Sequence, residues 1–268
     1  MGFASSAAAA YSAAIGNNSA GTGSQVATGA GAMALGGSYA SGVDSFAAAI
    51  GNNTSSYGAL GASSIAIGDR ALASGGNSVA VGGRLNIASG TYSTALGGFG
   101  NTASGIYSQA SGAYAVADKY GKKAFASGQF SVAGDAQAGK MVLRRKTTDA
   151  TPTVLTSDGV AGSSTNQVIL PDYSTFTFRI QVVAMQKVGD GSKTAGYEFT
   201  GVIRRGPGAA STVIKSSTKN VLYEDDAAWD CNVSADGVSG GLSIAVTGAA
   251  STNIAWAATV WTTEVTYL

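Results

Sequence analysis

The sequence predicts an all-β protein in two parts: a parallel β-roll over residues 1–134 and an antiparallel β-sandwich, jelly-roll-like, over residues 135–268. Three observations carry this. Short Ala/Ser/Gly segments recur at fixed spacing in the first part. Composition changes near residues 134–139. The second part is a series of alternating apolar and polar runs broken by turn signals.

The repeat is clearest over 64–112. Glycines fall at 68, 75, 82, 90, 97, 105, 112, 121 and 128, so the spacing alternates between seven and eight residues and reaches nine once. Two kinds of segment precede them. SIAIG, SVAVG, STALG and SQASG end at Gly68, Gly82, Gly97 and Gly112; LASG, IASG and TASG end at Gly75, Gly90 and Gly105. One unit is therefore 14 or 15 residues holding two short strands and two glycine turns. Related words end at Gly16, Gly36, Gly51 and Gly61, with uneven spacing.

A helix would lose about 1 kcal/mol at each interior glycine, and no apolar face of helical period is present. In SVAVG, Val79 and Val81 point to one side while Ser78 and Ala80 point to the other, as a strand requires. Nine or so coils at ~4.8 Å each give a rod about 40 Å long. Such a thin coil leaves apolar stripes that soluble monomers rarely expose. Association about a rotation axis covers them, so a homo-oligomeric shaft is expected. A disordered linker would not need paired apolar residues at fixed phase. An ice-binding solenoid would need a regular threonine row, which Thr22, Thr28, Thr54, Thr91, Thr94 and Thr102 do not form.

The totals narrow the function. Net charge is +1 with 12% charged residues, so nothing points to nucleic acid or an anionic membrane. The chain has no histidine, which removes the commonest general base and most zinc chemistry. A single cysteine, Cys231, excludes an intrachain disulfide. No apolar run approaches the ~20 residues of a membrane span. The opening MGFASSAAAAYSAAIG lacks the basic start of a signal peptide, so export by that route is not expected.

All three prolines and all three tryptophans lie in the second part. Strands are expected in KMVLRRKTT, PTVLTSDG, NQVILPD, STFTFRIQVVAMQKV, YEFTGVIRR, STVIK, NVLYE, AAWDCNVSAD, GLSIAVTG and NIAWAATVWTTEVTYL. In the longest of the middle runs, Phe176, Phe178, Ile180, Val182 and Ala184 share one side. GDGS (189–192) and GPG (206–208) read as turns, giving eight to ten strands.

Two resemblances follow from these residues. The alternating SVAVG and xASG units, over roughly 12–134, resemble the head repeats of trimeric autotransporter adhesins of the YadA type. That resemblance implies a left-handed β-roll built as a homotrimer. The stretches GDAQAGKMVLRRKTTDATPTVLTSDG, YEFTGVIRRG, LSIAVTGAASTNIAWAATV and TTEVTY resemble the distal C-terminal domain of bacteriophage tail-fibre proteins. That resemblance carries no defined site motif.

Candidate contact residues are Tyr197, Arg204, Arg205, Tyr223, Asp226, Trp229 and Asp230. Aromatic faces flanked by carboxylates suit sugars, and the arginines before GPG suit an acidic polysaccharide; each also has a plain structural reading, Trp229 as a core plug and the acidic run as a solvated loop. Arg144, Arg145 and Lys146 are expected to mark the junction of the two parts. No cofactor or metal is expected, because no ligand spacing is present.

The expected function is host attachment by a phage virion, through a tail fibre that binds a surface glycan or protein without catalysis. Its partners would be copies of itself and other tail proteins, with no nucleic acid and no membrane insertion. The alternatives are a fragment of a bacterial trimeric autotransporter adhesin on the cell surface, and a capsid decoration fibre with no receptor role.

Overall fold

The computed structural model describes residues 5–15, 25–36, 38–49, 56–186 and 193–267. Apart from one 3-10 turn, Ala209–Ser211, the described elements are β-strands. The chain divides into two compact units: residues 1–118 with 123–134, and residues 119–122 with 135–268. Among the described residues no helix is long and apolar enough to cross a membrane.

The first unit is a parallel β-solenoid. Each coil gives one strand to each of two sheets, the short strands running from Ser5–Ala7 to Val116–Ala117 and the longer ones from Ala13–Ile15 to Lys123–Ser127. The first unit contributes eight strands to each of the two sheets among the described residues, where the sequence suggested nine or so coils. Repeat lies on repeat: Val79, Ala80 and Val81 align with Thr94, Ala95 and Leu96 in one neighbour and with Ile65, Ala66 and Ile67 in the other. The uneven early repeats keep this register, since Ala34 aligns with Ala14 and with Ala47.

Alternation in each strand decides what lies inside. Ala66, Ala80, Ala95 and Ala110 of the long strands, and Ala73, Ala88, Ala103 and Ala117 of the short ones, are fully buried and face one another across the coil. That interior is too thin for larger groups, so Ile65, Val79 and Leu96 point outward and remain partly or largely exposed. Ser64, Ser78, Ser93 and Ser108 form a buried column whose hydroxyls have no hydrogen-bond partner. Ala32 holds the equivalent place in an earlier coil.

Two buried asparagines tie coils together. The Asn86 side-chain amide donates to the carbonyls of Gly82 and Gly97, and the Asn101 amide to those of Gly97 and Gly112 and to Asn86 Oδ1. At one corner the backbone is left-handed: φ is 53–58° at Asp44, Ser63, Asn77, Tyr92 and Tyr107. Stacking repeats there, and the rings of Tyr92 and Tyr107 lie parallel at 5.0 Å. Gly98 is held to glycine twice over, with φ +66° and a Cβ that would fall 1.7 Å from the Gly112 carbonyl.

The second unit holds two antiparallel sheets. The larger has the strand order Ala136–Thr147, Ile254–Thr266, Ser174–Gln186, Thr194–Arg205 and Val213–Glu224. The smaller joins Gly241–Thr247 to Thr153–Val154, Val168–Ile169 and Asp230–Asp236. STVIK and NVLYE, expected as two strands, form one, because nothing in the intervening SSTK stops extended backbone. The GDGS turn lies outside the described residues. Phe176, Phe178, Ile180, Val182 and Ala184 are buried on one face as the alternation required. They share an apolar core with Leu143, Leu155, Leu242, Ile244, Trp229 and Trp256, drawn from both sheets.

An ion pair is buried in this unit. Lys122 Nζ lies 2.8 Å from Glu264 Oε2, which also accepts from Gln137 Nε2 at 2.7 Å, while Thr262 donates to Glu264 Oε1. The bonded neighbours offset a desolvation cost that an isolated charge could not bear.

Candidate functional site

The seven residues expected from sequence divide into three environments. Tyr197 and Trp229 are buried and are corrected from surface contacts to core residues. The parity of Thr194–Arg205 turns Tyr197 inward beside Phe199 and Ile203, and its ring stacks at 6.5 Å on Trp256. Trp229 lies 5.9 Å from the same indole. Burial, then the hydrogen bond to Glu224 and its charge, hold the Tyr197 phenol neutral far above its ordinary range.

Tyr223, Asp226 and Asp230 lie where Val213–Glu224 ends and the chain passes into Asp230–Asp236. Every carboxylate there is already engaged. Asp225 accepts from Thr194 N–H and from Tyr223 Oη, and Asp226 from Lys193 Nζ and Ala228 N–H. Asp230 pairs with Lys219 and accepts from Cys231 N–H. Hydrogen bonds from Thr194 and Tyr223 lower the pKa of Asp225, and those from Lys193 and Ala228 lower that of Asp226. For Asp230, burial acts upward but is outweighed by Lys219, Asn232 and the Cys231 N–H. Burial pushes the Cys231 thiol up to about 12, so the buried sulfur is unreactive at neutral pH.

Arg204 and Arg205 occupy the opposite end of the Thr194–Arg205 strand, about 30 Å from Asp226 at ~3.4 Å per residue. The expected patch is therefore two separate places. Arg204 is exposed. Arg205 is a structural clamp: its guanidinium donates to the Leu170 carbonyl at 2.6 Å and pairs with Asp172 at 2.8 Å.

A different constellation was missed as a site. Arg144, Arg145 and Lys146 lie near the end of Ala136–Thr147, about 30 Å along the strand from Asp135. That placement corrects their assignment to the junction. With Asp158, Gly159, Ala255 and Trp256 they line a cavity of about 470 Å³. The run RRK was visible in the sequence; the loop that folds back over it was not. Among the described residues no group of acidic, cysteine or histidine side chains is arranged to hold a metal ion.

The YadA head domain repeat matches this chain twice, over residues 59–84 and 83–99. Both matches lie within the β-solenoid unit. No curated protein matches the sequence. Among solved structures, the tailspike of Acinetobacter baumannii bacteriophage Fri1, a capsular polysaccharide depolymerase, is 12% identical with a TM-score of 0.28, over 86% of this chain and 42% of the tailspike. The tailspike of Acinetobacter phage vB_ApiP_P1 is 14% identical with a TM-score of 0.23, over 89% and 49%. That of Acinetobacter baumannii phage AM24 is 12% identical with a TM-score of 0.21, over 87% and 46%. The chain thus spans less than half the length of each tailspike, and likeness at this level assigns neither fold nor activity.

The expectation that the chain is not an enzyme is corrected here. Attachment without catalysis was expected from the sequence; one of the matched structures is described as a capsular polysaccharide depolymerase and the C-terminal unit contains a cavity of about 470 Å³, so the absence of catalysis is not carried forward.

Proposed function

We propose that this chain is an attachment fibre of a phage virion: a homotrimer of a β-solenoid unit and a C-terminal jelly-roll-like sandwich, engaging a glycan on the bacterial surface. The observation that carries the reading is the solenoid's construction. Its interior is filled by alanine, and Ile67, Val81 and Leu96 stand on the outer face in register from coil to coil. An apolar ladder of that length calls for a lateral partner, and closed symmetry supplies one without open-ended polymerisation. Three copies of a weak site in one trimer raise its avidity by orders of magnitude. Of the contact residues expected from sequence, Arg204 and Tyr223 keep exposed side chains and are the ones the C-terminal unit presents.

The test is adsorption of labelled full-length protein to capsulated Gram-negative cells, before and after periodate oxidation of their surface glycans. Saturable binding that periodate abolishes is expected; no saturable binding to any capsulated strain overturns the reading. Reducing-end release from purified capsule, run in parallel, measures whether attachment is accompanied by cleavage. A bacterial cell-surface adhesin is the second reading, favoured by the head-repeat match. Immunogold labelling separates the two, through label on virion tails or on the cell envelope.

A further inference from the structure

We infer that the cavity beside Arg144, Arg145 and Lys146 is a subsite for a carboxylated sugar, a hexuronate-type residue of an acidic surface polysaccharide. The inference deepens the attachment reading and rests on it. Its geometry begins with strand register. Lys146 lies opposite Ala255, Arg145 opposite Trp256 and Arg144 opposite Ala257. Alanines facing the two outward cations leave a hollow where larger side chains would fill the sheet surface. At about 470 Å³ the hollow falls within the range of about 300–1,000 Å³ typical of small-ligand sites.

The cations are held in place. The Arg144 guanidinium donates to the carbonyls of Ser157 at 2.6 Å and Asp158 at 2.9 Å. The Arg145 guanidinium donates to the Gly159 carbonyl at 2.8 Å. Each guanidinium has further N–H donors beyond these. Among the described residues none of the three cations has an ion-pair partner.

The nearby carboxylate does not neutralise them. Asp158 is turned into its own loop, accepting from the Asn166 amide at 2.9 and 3.0 Å and from Val160 N–H at 3.1 Å. Three cations therefore line the hollow with one committed carboxylate. Planar guanidinium donors held by backbone carbonyls suit a planar carboxylate in two-point contact. Ala255, on the exposed face of its strand, supplies a small apolar floor against which a sugar ring can rest.

The experiment titrates full-length protein with oligogalacturonate, using maltooligosaccharide and inorganic phosphate as comparison probes. Wild type is expected to bind oligogalacturonate and not the neutral oligomer. Arg145→Gln with Lys146→Gln should weaken that binding at least about tenfold, as the loss of charge-assisted hydrogen bonds requires. Ala255→Phe keeps every charge and fills the hollow, and should weaken it comparably; unfolding midpoints matched to wild type show that each variant is folded. Unaltered oligogalacturonate binding in folded variants overturns the inference, as does binding of inorganic phosphate in place of the uronate. The cell assay separates the two readings. Variants that have lost uronate binding and adsorb like wild type show the groove is not the receptor subsite, while attachment stands; wild type that binds uronate and no cells refutes attachment, on which the receptor assignment rests.

Discussion

Asn101→Ala tests the account of how the coils are fastened. The side chain is fully buried, and its amide nitrogen lies 2.7 Å from the Gly112 carbonyl, 2.9 Å from that of Gly97 and 3.0 Å from Asn86 Oδ1. Its Oδ1 accepts from the Ala115 N–H at 3.0 Å. After truncation the Gly97 carbonyl keeps the Asn86 amide, and Asn86 Oδ1 keeps the Asn101 N–H. The Ala115 N–H and the Gly112 carbonyl lose their side-chain partner. At about 1–3 kcal/mol for each of these two buried polar groups left unpaired, and about 1 kcal/mol for the small cavity, the total is about 3–7 kcal/mol. Guanidinium unfolding followed by far-ultraviolet circular dichroism, at one fixed protein concentration, reads this directly. A midpoint equal to wild type with an unchanged slope would refute the reasoning, since the bonds would then contribute nothing net.

Three further outcomes follow from the same structure. Ser78→Ala removes a buried hydroxyl that has no partner and should raise stability by about 1 kcal/mol in the same assay; a loss of stability would mean that the hydroxyl is bonded. Cys231, buried and with its thiol pushed up to about 12, should resist thiol reagents until the protein unfolds, so labelling of native protein at the rate of a free thiol would contradict its placement. Burial raises the pKa of Asp158 and Asp236, but the bonds from Asn166 and Val160 to the first, and from Ser239 and Val238 to the second, leave both below the ordinary value. Groups so depressed contribute stability above the unfolded pKa of about 3.9 and lose it as pH falls through the folded value. The chain has no histidine, so the unfolding midpoint should stay level from neutral pH to about pH 5 and fall below about pH 4. A decline centred between pH 7 and pH 5 would contradict this.

What was legible in the sequence was periodic. The glycine spacing and the SVAVG alternation fixed a two-sheet parallel solenoid because strand parity and turn chemistry are local. Alternation likewise placed Phe176 through Ala184 on the core. Which solenoid face is inside was not local: the thinness of the coil puts Ala80 in and Val79 out, against the usual preference for burying the larger side chain. The site residues were harder still. Parity within one strand separates buried Tyr197 from exposed Arg204, yet Trp229 precedes a strand whose packing depends on a second sheet. The groove at 144–146 depends on the 156–160 loop folding back and on alanine at 255, and neither leaves a signal in the run RRK itself.

The central claim is that the apolar ladder of the solenoid is covered by other copies of the chain. The measurement that bears on it most directly is the molar mass of the intact protein, by light scattering behind a sizing column. The account predicts three times the 26.3 kDa of a single chain. A folded, monodisperse species at the mass of one chain would contradict it, because the row of Ile67, Val81 and Leu96 would then stand in water.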